Sequence, residues 1–333
     1  MRRRVAKLRQ RAGAFAIDGF FRALSRVGRL HPRANPARHD VEVETDVAYA
    51  NDGDPAHRLD VYRPTKASGP WPVVLYIHGG GFRILSKETH WALALAYARR
   101  GYLVFNIDYR LAPAHPYPAA IADACLAYEW VVRNAASYGG DVTRLFVAGE
   151  SAGANLAASL AVAACYRRDE PHARLVFDTG VVPRAVLPAC GIFQVSDTAR
   201  FGRRRALPAW IRDRLEEVEG AYLRGVDREV FGALDLADPV VLLERALPPD
   251  RPLPAFFLPV GTGDLLLDDT RRMKAALDRL GVPCEVRYYP GEPHAFHALV
   301  FRKRAREHWA HAYAFMDRVL ASFALDPSGK GKP

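Results

Sequence analysis

The sequence has no run of 18 apolar residues, the length at which a helix can span a membrane, so we predict no transmembrane helix. The basic N-terminus is not followed by an unbroken apolar segment, and we expect no secretory signal. Cysteine is scarce, with four in 333 residues and no Cys-x-x-Cys pair. All four lie among apolar or small residues, which predicts reduced thiols in the core of a cytoplasmic protein. They are Cys125, Cys165, Cys190 and Cys284.

Excess charge is also scarce over most of the chain. The net charge is +10, but nine basic residues against Asp18 alone give residues 1–30 a charge of +8 and leave +2 for the rest. A nucleic-acid-binding face would spread such charge over a surface, so we expect no nucleic-acid partner. The same 30 residues include apolar groups at helical spacing, among them Phe15, Phe20 and Phe21. This segment either packs against the rest of the protein or lies on an anionic membrane.

Strand-like and helical patterns alternate along most of the chain. This alternation predicts an α/β fold, with a mostly parallel central sheet flanked by helices on both faces. The predicted strands are Trp71–Ile77, Leu103–Ile107, Leu145–Ala148, Val181–Leu187, Ala255–Val260 and Val286–Tyr289. The predicted helices are Thr89–Arg100, Ala119–Asn134, Ala154–Arg167, Thr270–Leu280 and a long one near Phe301–Phe323.

Other stretches depart from that alternation. Asp40–Val61 has the pattern of an antiparallel hairpin. Two segments have helical apolar spacing without strands, residues 1–38 and the Arg-rich insert 192–236. The tail 326–333 is rich in Gly, Lys and Pro and is predicted to be disordered. We therefore assign the α/β core to residues 39–191 and 237–325.

The segment Gly149-Glu150-Ser151-Ala152-Gly153 follows one predicted strand and precedes a predicted helix. This is the setting in which GxSxG holds a nucleophilic serine on a sharp turn with its hydroxyl exposed. The glycines let neighbouring backbone pass closely, and the helix N-terminus favours developing negative charge. Taken alone, the motif is also compatible with a simple turn at the start of a helix.

Three consecutive glycines occur in His78-Gly79-Gly80-Gly81-Phe82, directly after a predicted strand. Glycines there allow backbone N–H groups to point into a cavity, which is what a tetrahedral oxyanion requires. A phosphate-binding loop is the alternative, but it would normally contain GxGxxG or end in Lys-Ser/Thr, and neither occurs here.

An acid and a histidine come after the serine in the chain. Asp264 and His294 each lie on a loop just past a predicted strand, where parallel sheets place their functional groups. The order Ser, Asp, His is that of α/β-hydrolases. We expect Asp264 to orient the imidazole and His294 to take the proton of Ser151, with Asp268 the competing acid one helical turn further on.

Two histidine pairs have a spacing that resembles a metal site. His294 and His297 are three residues apart, as are His308 and His311. Neither HExxH nor clustered carboxylates accompany them. We expect no metal and no cofactor.

Together these segments resemble the hormone-sensitive-lipase family of esterases, also called bacterial family IV. The resemblance runs from about Leu59 to His297. The sequence departs from the family's usual pattern at Glu150, where Asp or Thr is common, and at Ala295, where Gly is common. Further segments that resemble the family are Leu59–Pro64, Asp108–Pro113, Pro116–Ala119, Asn155–Ala157, Gly281–Pro283 and His294–Phe296.

This resemblance implies a serine carboxylesterase that hydrolyses small-molecule esters of short to medium acyl length through an acyl-enzyme. It implies that the amides of Gly80, Gly81 and Ala152 form the oxyanion hole. It also implies that residues 1–38 and 192–236 form a helical cap over the site, which favours the packed alternative for residues 1–30. A homodimer through the edge strand near residues 286–289 is consistent with it.

Two other functions remain open at this stage. The same machinery could act on an amide or N-acetyl group, as in arylacetamide deacetylase-like relatives. A non-catalytic ligand-binding protein is the third hypothesis, since gibberellin receptors resemble the family but lack the catalytic histidine; here Ser151, Asp264 and His294 are all present. The candidates for substrate contact, with packing as the alternative for the aromatic ones, are Phe82, Tyr109, Glu150, Trp210 and Tyr222.

Overall fold

The computed structural model describes residues 18–66, 68–204, 207–230 and 232–325. Eight strands form one sheet in the order β1-β2-β4-β3-β5-β6-β7-β8. The pairs β1–β2 and β2–β4 are antiparallel, and all other neighbouring pairs are parallel. The strands are β1 (Val41–Ala48), β2 (Arg58–Pro64), β3 (Trp71–Ile77), β4 (Leu103–Ile107), β5 (Gly140–Glu150), β6 (Ala185–Ala189), β7 (Ala255–Gly261) and β8 (Cys284–Tyr289).

Ten α-helices occur in the described ranges, with α1 described over residues 18–29. The others are α2 (Trp91–Ala98), α3 (Ala119–Asn134), α4 (Ala152–Cys165), α5 (Pro171–Asp178), α6 (Arg200–Arg204), α7 (Ala209–Tyr222), α8 (Pro239–Glu244), α9 (Leu267–Arg279) and α10 (Lys303–Leu325). Short 3₁₀ segments cover Pro32–Ala34, Pro36–His39, Ala135–Tyr138 and Phe296–Ala298. Within the described part of the chain, no helix combines the length and apolar character needed to cross a membrane.

Helices cover both faces of the sheet, as the alternation of side chains along β3 shows. Val73, Leu75 and Ile77 pack into the larger core, which includes α3, α4, α5, α8 and α9. Val74 and Tyr76 point the other way, into the core formed with α2 and α10. This period of two places apolar side chains on both faces, as a strand buried between two helical layers requires.

The helix that follows the candidate serine is fully enclosed. Every residue of α4 is buried, and most of them are alanine, glycine or serine. Such small side chains let α4 lie close to β5, β6 and α5, because little volume separates the backbones. The N-terminal end of α4 is therefore held firmly at the carboxyl edge of the sheet.

The α/β class, the mostly parallel sheet and the flanking helices confirm the sequence-based prediction. The antiparallel pairing of β1 with β2 confirms the hairpin. The strand predicted from Val181 begins only at Ala185. Helix α5 was not predicted. The predicted tail 326–333, and Phe15 with the rest of residues 1–17, lie outside the described residues.

Candidate active site

Ser151 occupies the sharp turn between β5 and α4. Its backbone has φ 53° and ψ −112°, a conformation that a residue with a side chain rarely adopts. A Cβ on Gly149 would lie 2.5 Å from the carbonyl oxygen of Gly153, and a Cβ on Gly153 would lie 2.1 Å from that of Ile77. Both flanking positions therefore require glycine, and the close backbone contacts hold the strained turn in place.

Asp264 and His294 meet at the same edge of the sheet, on the loops after β7 and β8. The Asp264 side chain is fully buried, and its Oδ2 lies 2.8 Å from Nδ1 of His294. Its Oδ1 accepts a hydrogen bond from the Leu266 amide at 2.8 Å. The carboxylate is thus fixed at both oxygens, and the His294 ring presents Nε2 on its other side.

Backbone contacts tie these two loops together. The Gly263 amide donates to the Glu292 carbonyl at 3.1 Å, and the Gly291 amide donates to Thr262 Oγ1 at 2.8 Å. A Cβ on Gly261 would lie only 2.0 Å from the Glu292 carbonyl oxygen. The spacing between the acid and the histidine is therefore set by the backbone.

The charge of Asp264 determines the ionisation of His294. Loss of water around the imidazole opposes protonation, but the adjacent Asp264 carboxylate outweighs it and raises the pKa of His294 well above its ordinary value. Asp268, by contrast, is 37% exposed and pairs with Arg271 at 3.1 Å. Asp264 is the acid hydrogen-bonded to the histidine.

The loop after β3 brings backbone amides to the same place. Gly80 and Gly81 have φ of 105° and 61°, and a Cβ on Gly80 would lie 2.0 Å from the Ile84 carbonyl oxygen. Ala152 is the first residue of α4, where an amide has no partner within the helix. Among the described residues, the amides of Gly80, Gly81 and Ala152 donate to no protein acceptor.

A cleft of about 480 Å³ opens onto these groups. Ser151, His294, Gly80 and Gly81 all lie on its wall. The cleft therefore brings a hydroxyl, an imidazole and two loop amides to one space, the set of groups that acyl transfer to a serine uses.

Comparison with known proteins agrees with this arrangement. A family model described as "alpha/beta hydrolase fold" matches residues 74–298. A carboxylesterase of Mycobacterium tuberculosis, NlhH, is 33% identical over 240 residues, which are 71% of this chain and 70% of the relative. An acetyl esterase of Salmonella schwarzengrund is 33% identical over 249 residues, 73% and 70% of the two chains. The crystal structure of esterase LipW from Mycobacterium marinum superposes with a TM-score of 0.71 at 28% identity, covering 92% of this chain and 90% of that one.

The chain belongs to the hormone-sensitive-lipase family of esterases, within the α/β-hydrolase superfamily. It is a serine hydrolase of carboxylic esters.

Three of the aromatic residues proposed for substrate contact lie behind the glycine loop of this esterase and do not line the cleft. Tyr109 stacks on His78 at 4.2 Å and donates its hydroxyl to the His78 carbonyl at 3.0 Å. Phe82 stacks on Tyr222 with ring centroids 3.8 Å apart. All of these rings are buried, so the prediction is corrected: they support the loop. Because the paired residues lie far apart in the sequence, no local pattern could predict these contacts.

Trp210 is also absent from the wall of the cleft. It lies near the start of α7, is 65% exposed, and does not line the cleft. Its neighbours on α7 do reach the esterase cleft, namely Arg214, Glu217 and Val218. The sequence predicted the helix but not which of its faces is turned to the site.

Glu150 does line the cleft, next to a histidine that the sequence analysis missed. Its Oε1 lies 3.2 Å from Nε2 of His90, which also faces the cleft. Burial alone would raise the pKa of Glu150, but the hydrogen bond and charge of His90, with lesser effects of His297 and His294, lower it to about 2. Glu150 is therefore an ionised, paired carboxylate directly before the nucleophile.

Cys190 was predicted only as a core thiol, and it lies under the histidine of the esterase. Its buried Sγ and potential ligand atoms of Asp264 and His294 all lie within 4.8 Å of one another. Burial raises the pKa of Cys190, which keeps the thiol protonated.

Proposed function

We propose that this protein hydrolyses small carboxylic esters with short to medium acyl chains, and that Ser151, His294 and Asp264 act as nucleophile, general base and orienting acid. The observation that carries the proposal is the Asp264–His294 hydrogen bond of 2.8 Å beside the strained Ser151 turn, on one cleft. The paired acid and histidine, on the same cleft as the serine, support these three roles.

In the proposed reaction, Oγ of Ser151 attacks the ester carbonyl carbon while Nε2 of His294 takes the hydroxyl proton. The tetrahedral intermediate then collapses and expels the alcohol, which receives that proton from His294. Water attacks the acyl-serine in the same way, with His294 again taking a proton. Collapse of the second intermediate releases the carboxylic acid and returns the proton to Ser151.

The negative oxygen of each intermediate would be held by the amides of Gly80, Gly81 and Ala152. Their lack of protein acceptors among the described residues supports this role, because such donors are costly to leave unpaired unless a ligand or water accepts from them. The loop is fixed before charge develops, since Tyr109 and Tyr222 pack behind it.

The size of the cleft supports the proposed acyl range. About 480 Å³ suits a small molecule, and α7 and α1 bound the space through Val218 and Phe21. We propose that residues 1–38 and 192–236 act as a cap because each contributes such a residue. An ester of roughly C2 to C8 acyl length fits an enclosed space better than a long chain at a lipid interface.

The alternative with the same residues is hydrolysis of an amide or N-acetyl group. The choice depends on how well the leaving group is protonated and held, which is a property of pocket shape. A p-nitrophenyl ester series run beside the matching anilides separates the two functions, and we expect the esters to be preferred.

Replacement of the nucleophile tests the mechanism directly. Ser151→Ala should leave a folded protein whose kcat on p-nitrophenyl butyrate is lower by about 10⁴- to 10⁶-fold, because no hydroxyl remains to form the acyl-enzyme. Circular dichroism checks the fold. Turnover near that of the unmodified enzyme would refute the mechanism.

Two further expectations concern where and how the enzyme works. Strand β8 lies at the edge of the sheet, where a second copy could add a strand and form a homodimer. Cysteines that are buried or half-buried and free are consistent with a cytoplasmic protein. Both stay predictions, which sedimentation and cell fractionation test.

A further inference from the structure

We propose that the cleft selects esters that also carry a carboxylate, and that Arg83 and Arg214 recognise that group. This inference rests on the proposed esterase function and names its substrate class. It starts from a cluster of three charged side chains on the wall of the cleft: Arg83, Arg214 and Glu217.

The cluster joins the loop after the glycines to α7. Arg83 Nη1 contacts Oε1 of Glu217, and Arg214 Nη1 contacts Oε2 of the same carboxylate. Glu217 is buried, and the two arginine side chains are 12% and 22% exposed. One buried carboxylate is thus shared by two guanidinium groups as ion pairs.

The cluster has a net positive charge that no other carboxylate of the described residues balances within ion-pair distance. Among residues 18–66, 68–204, 207–230 and 232–325, Glu217 is the only carboxylate within 4.0 Å of either arginine. Residues 1–17 contain no Asp or Glu at all. A partly buried charge without a counter-ion is costly, so an anionic group is favoured at this position.

Unused hydrogen-bond donors point to the same kind of ligand. Nε of Arg83 and both carboxylate oxygens of Glu217 are buried and have no hydrogen-bond partner in the described part of the protein, so the cluster is held by charge. Both arginine side chains also line the cleft, and arginine donors in their planar arrangement match the two oxygens of a carboxylate. A carboxylate on the substrate would accept from the guanidinium groups at the cleft wall and neutralise the excess charge.

The other ionisable groups of the cleft have partners of their own outside this cluster. Glu150 is hydrogen-bonded to His90, and His294 to Asp264. Aliphatic groups such as Val218 and Leu85 line the wall beside the arginines. The cleft therefore combines an apolar surface for the body of an ester with one positively charged position.

The test compares three p-nitrophenyl esters of similar acyl length: the hexanoate, the adipate with a free carboxylate, and the adipate capped as its methyl ester. For the unmodified enzyme we expect kcat/KM on the free adipate to exceed that on the capped adipate by about tenfold at low salt. This ratio should fall as the ionic strength rises.

Arg214→Met should remove most of that preference, with Arg212→Met as its matched control. Arg212 is exposed on the same helix and does not line the cleft, so its loss changes the net charge equally without touching the proposed site. Arg83→Met should behave as Arg214→Met does. Equal loss in the Arg212 and Arg214 variants would overturn the proposal, as would an unmodified enzyme without preference for the free adipate.

Glu217→Gln separates recognition of an anion from a purely structural link between the loop and α7. Removal of this negative charge should increase the preference for the free adipate. A structural link predicts instead an equal loss on all three esters, which would contradict the proposal. If the unmodified enzyme hydrolyses none of the three esters, the proposed esterase function fails. If it hydrolyses all three without preference, only the proposal of carboxylate recognition fails.

Discussion

The loops at the carboxyl edge of the sheet and the helices that lie over them are held in different ways. At the ends of the strands, backbone packs directly against backbone. A Cβ atom added to Gly153 or Gly261 would lie only 2.0–2.1 Å from a carbonyl oxygen, so no side chain fits there. In α1 and α7, nothing lies within 4 Å of a Cβ on Gly19 or Gly220. The helices contact the loops mainly through side chains, by the Arg83–Glu217 ion pair and the stack of Phe82 on Tyr222, with one backbone hydrogen bond from the Tyr117 amide to the Tyr222 carbonyl.

We expect this difference to determine which kinetic property each region controls, the catalytic rate or the substrate preference. Groups fixed by backbone contacts cannot shift by a few tenths of an ångström without rebuilding the turn, which is the preorganisation that catalysis needs. Side-chain contacts can be replaced one at a time without rebuilding a turn: a stacked aromatic pair contributes about 0.5–1.5 kcal/mol beyond its burial. Changes in the loops should therefore alter kcat, and changes in the helices should alter substrate preference.

The largest effect apart from loss of Ser151 should come from the acid. Asp264→Asn should lower kcat on p-nitrophenyl butyrate by roughly 10⁴-fold, because the amide cannot hold the imidazole in the tautomer that accepts the serine proton. Asp268→Asn is the matched control. That residue is one turn further on, is partly exposed and pairs with Arg271, so we expect a change within a few-fold. If the two variants rank the other way, the acid is wrongly assigned.

A pair of glycine substitutions tests the contrast between the two regions. Gly80→Ala places a methyl group 2.0 Å from the Ile84 carbonyl at a positive φ, so the loop must shift and its amides with it. Loss of one oxyanion donor typically lowers kcat by about 10²- to 10³-fold.

The matching change in α7 is Gly220→Ala. It fills open space within a helix, and we expect unchanged kcat with a stability gain of about 0.5–1 kcal/mol. Thermal unfolding and kcat on p-nitrophenyl butyrate are measured for both variants. A Gly80→Ala enzyme with normal kcat would show that the loop is not held by its backbone.

The pH dependence of activity tests the charge of Asp264. Because that carboxylate raises the pKa of His294, the neutral imidazole that acts as base is present only above a pH higher than the ordinary histidine value. We expect kcat/KM to fall about tenfold per pH unit below an apparent pKa above 6.5. In Asp264→Asn the same limb should move to lower pH. A limb centred below 6.5 in the unmodified enzyme contradicts this account.

The loop positions of the three candidate catalytic residues could be predicted from the sequence because local patterns mark them. Ser151, Asp264 and His294 each follow a strand whose apolar pattern is plain, and parallel strands bring their carboxyl ends to one edge. The glycines flanking Ser151 are required by contacts within the turn itself and with the neighbouring strand.

The contacts of α7 escaped that reasoning because they depend on distant partners. Tyr222 lies 140 residues from Phe82 in sequence, and Glu217 is 134 residues from Arg83, so no periodicity indicates either contact. Arg214 and Glu217 are three apart on α7, which marks a shared face but not its neighbour. The cleft's charge could therefore be found only from the structure.

The smallest effect on catalysis is expected from the outward side of α1, where the two alternatives for the basic N-terminus can be separated. Phe21 lines the cleft, and Ser25 Oγ donates to the Glu88 carbonyl at 2.7 Å, which favours the packed alternative. Phe20 and Val27, however, are 62% and 65% exposed. Their replacement by serine should change kcat/KM on soluble esters by about twofold or less, since neither lines the cleft. Phe21→Ser should raise KM several-fold because it opens the cleft wall.

Sedimentation with anionic liposomes at low salt decides between the packed and the membrane-bound alternatives for α1. If the unmodified protein sediments and the Phe20→Ser, Val27→Ser variant does not, α1 binds membranes with its exposed side; if neither sediments, the helix serves only to close the cleft.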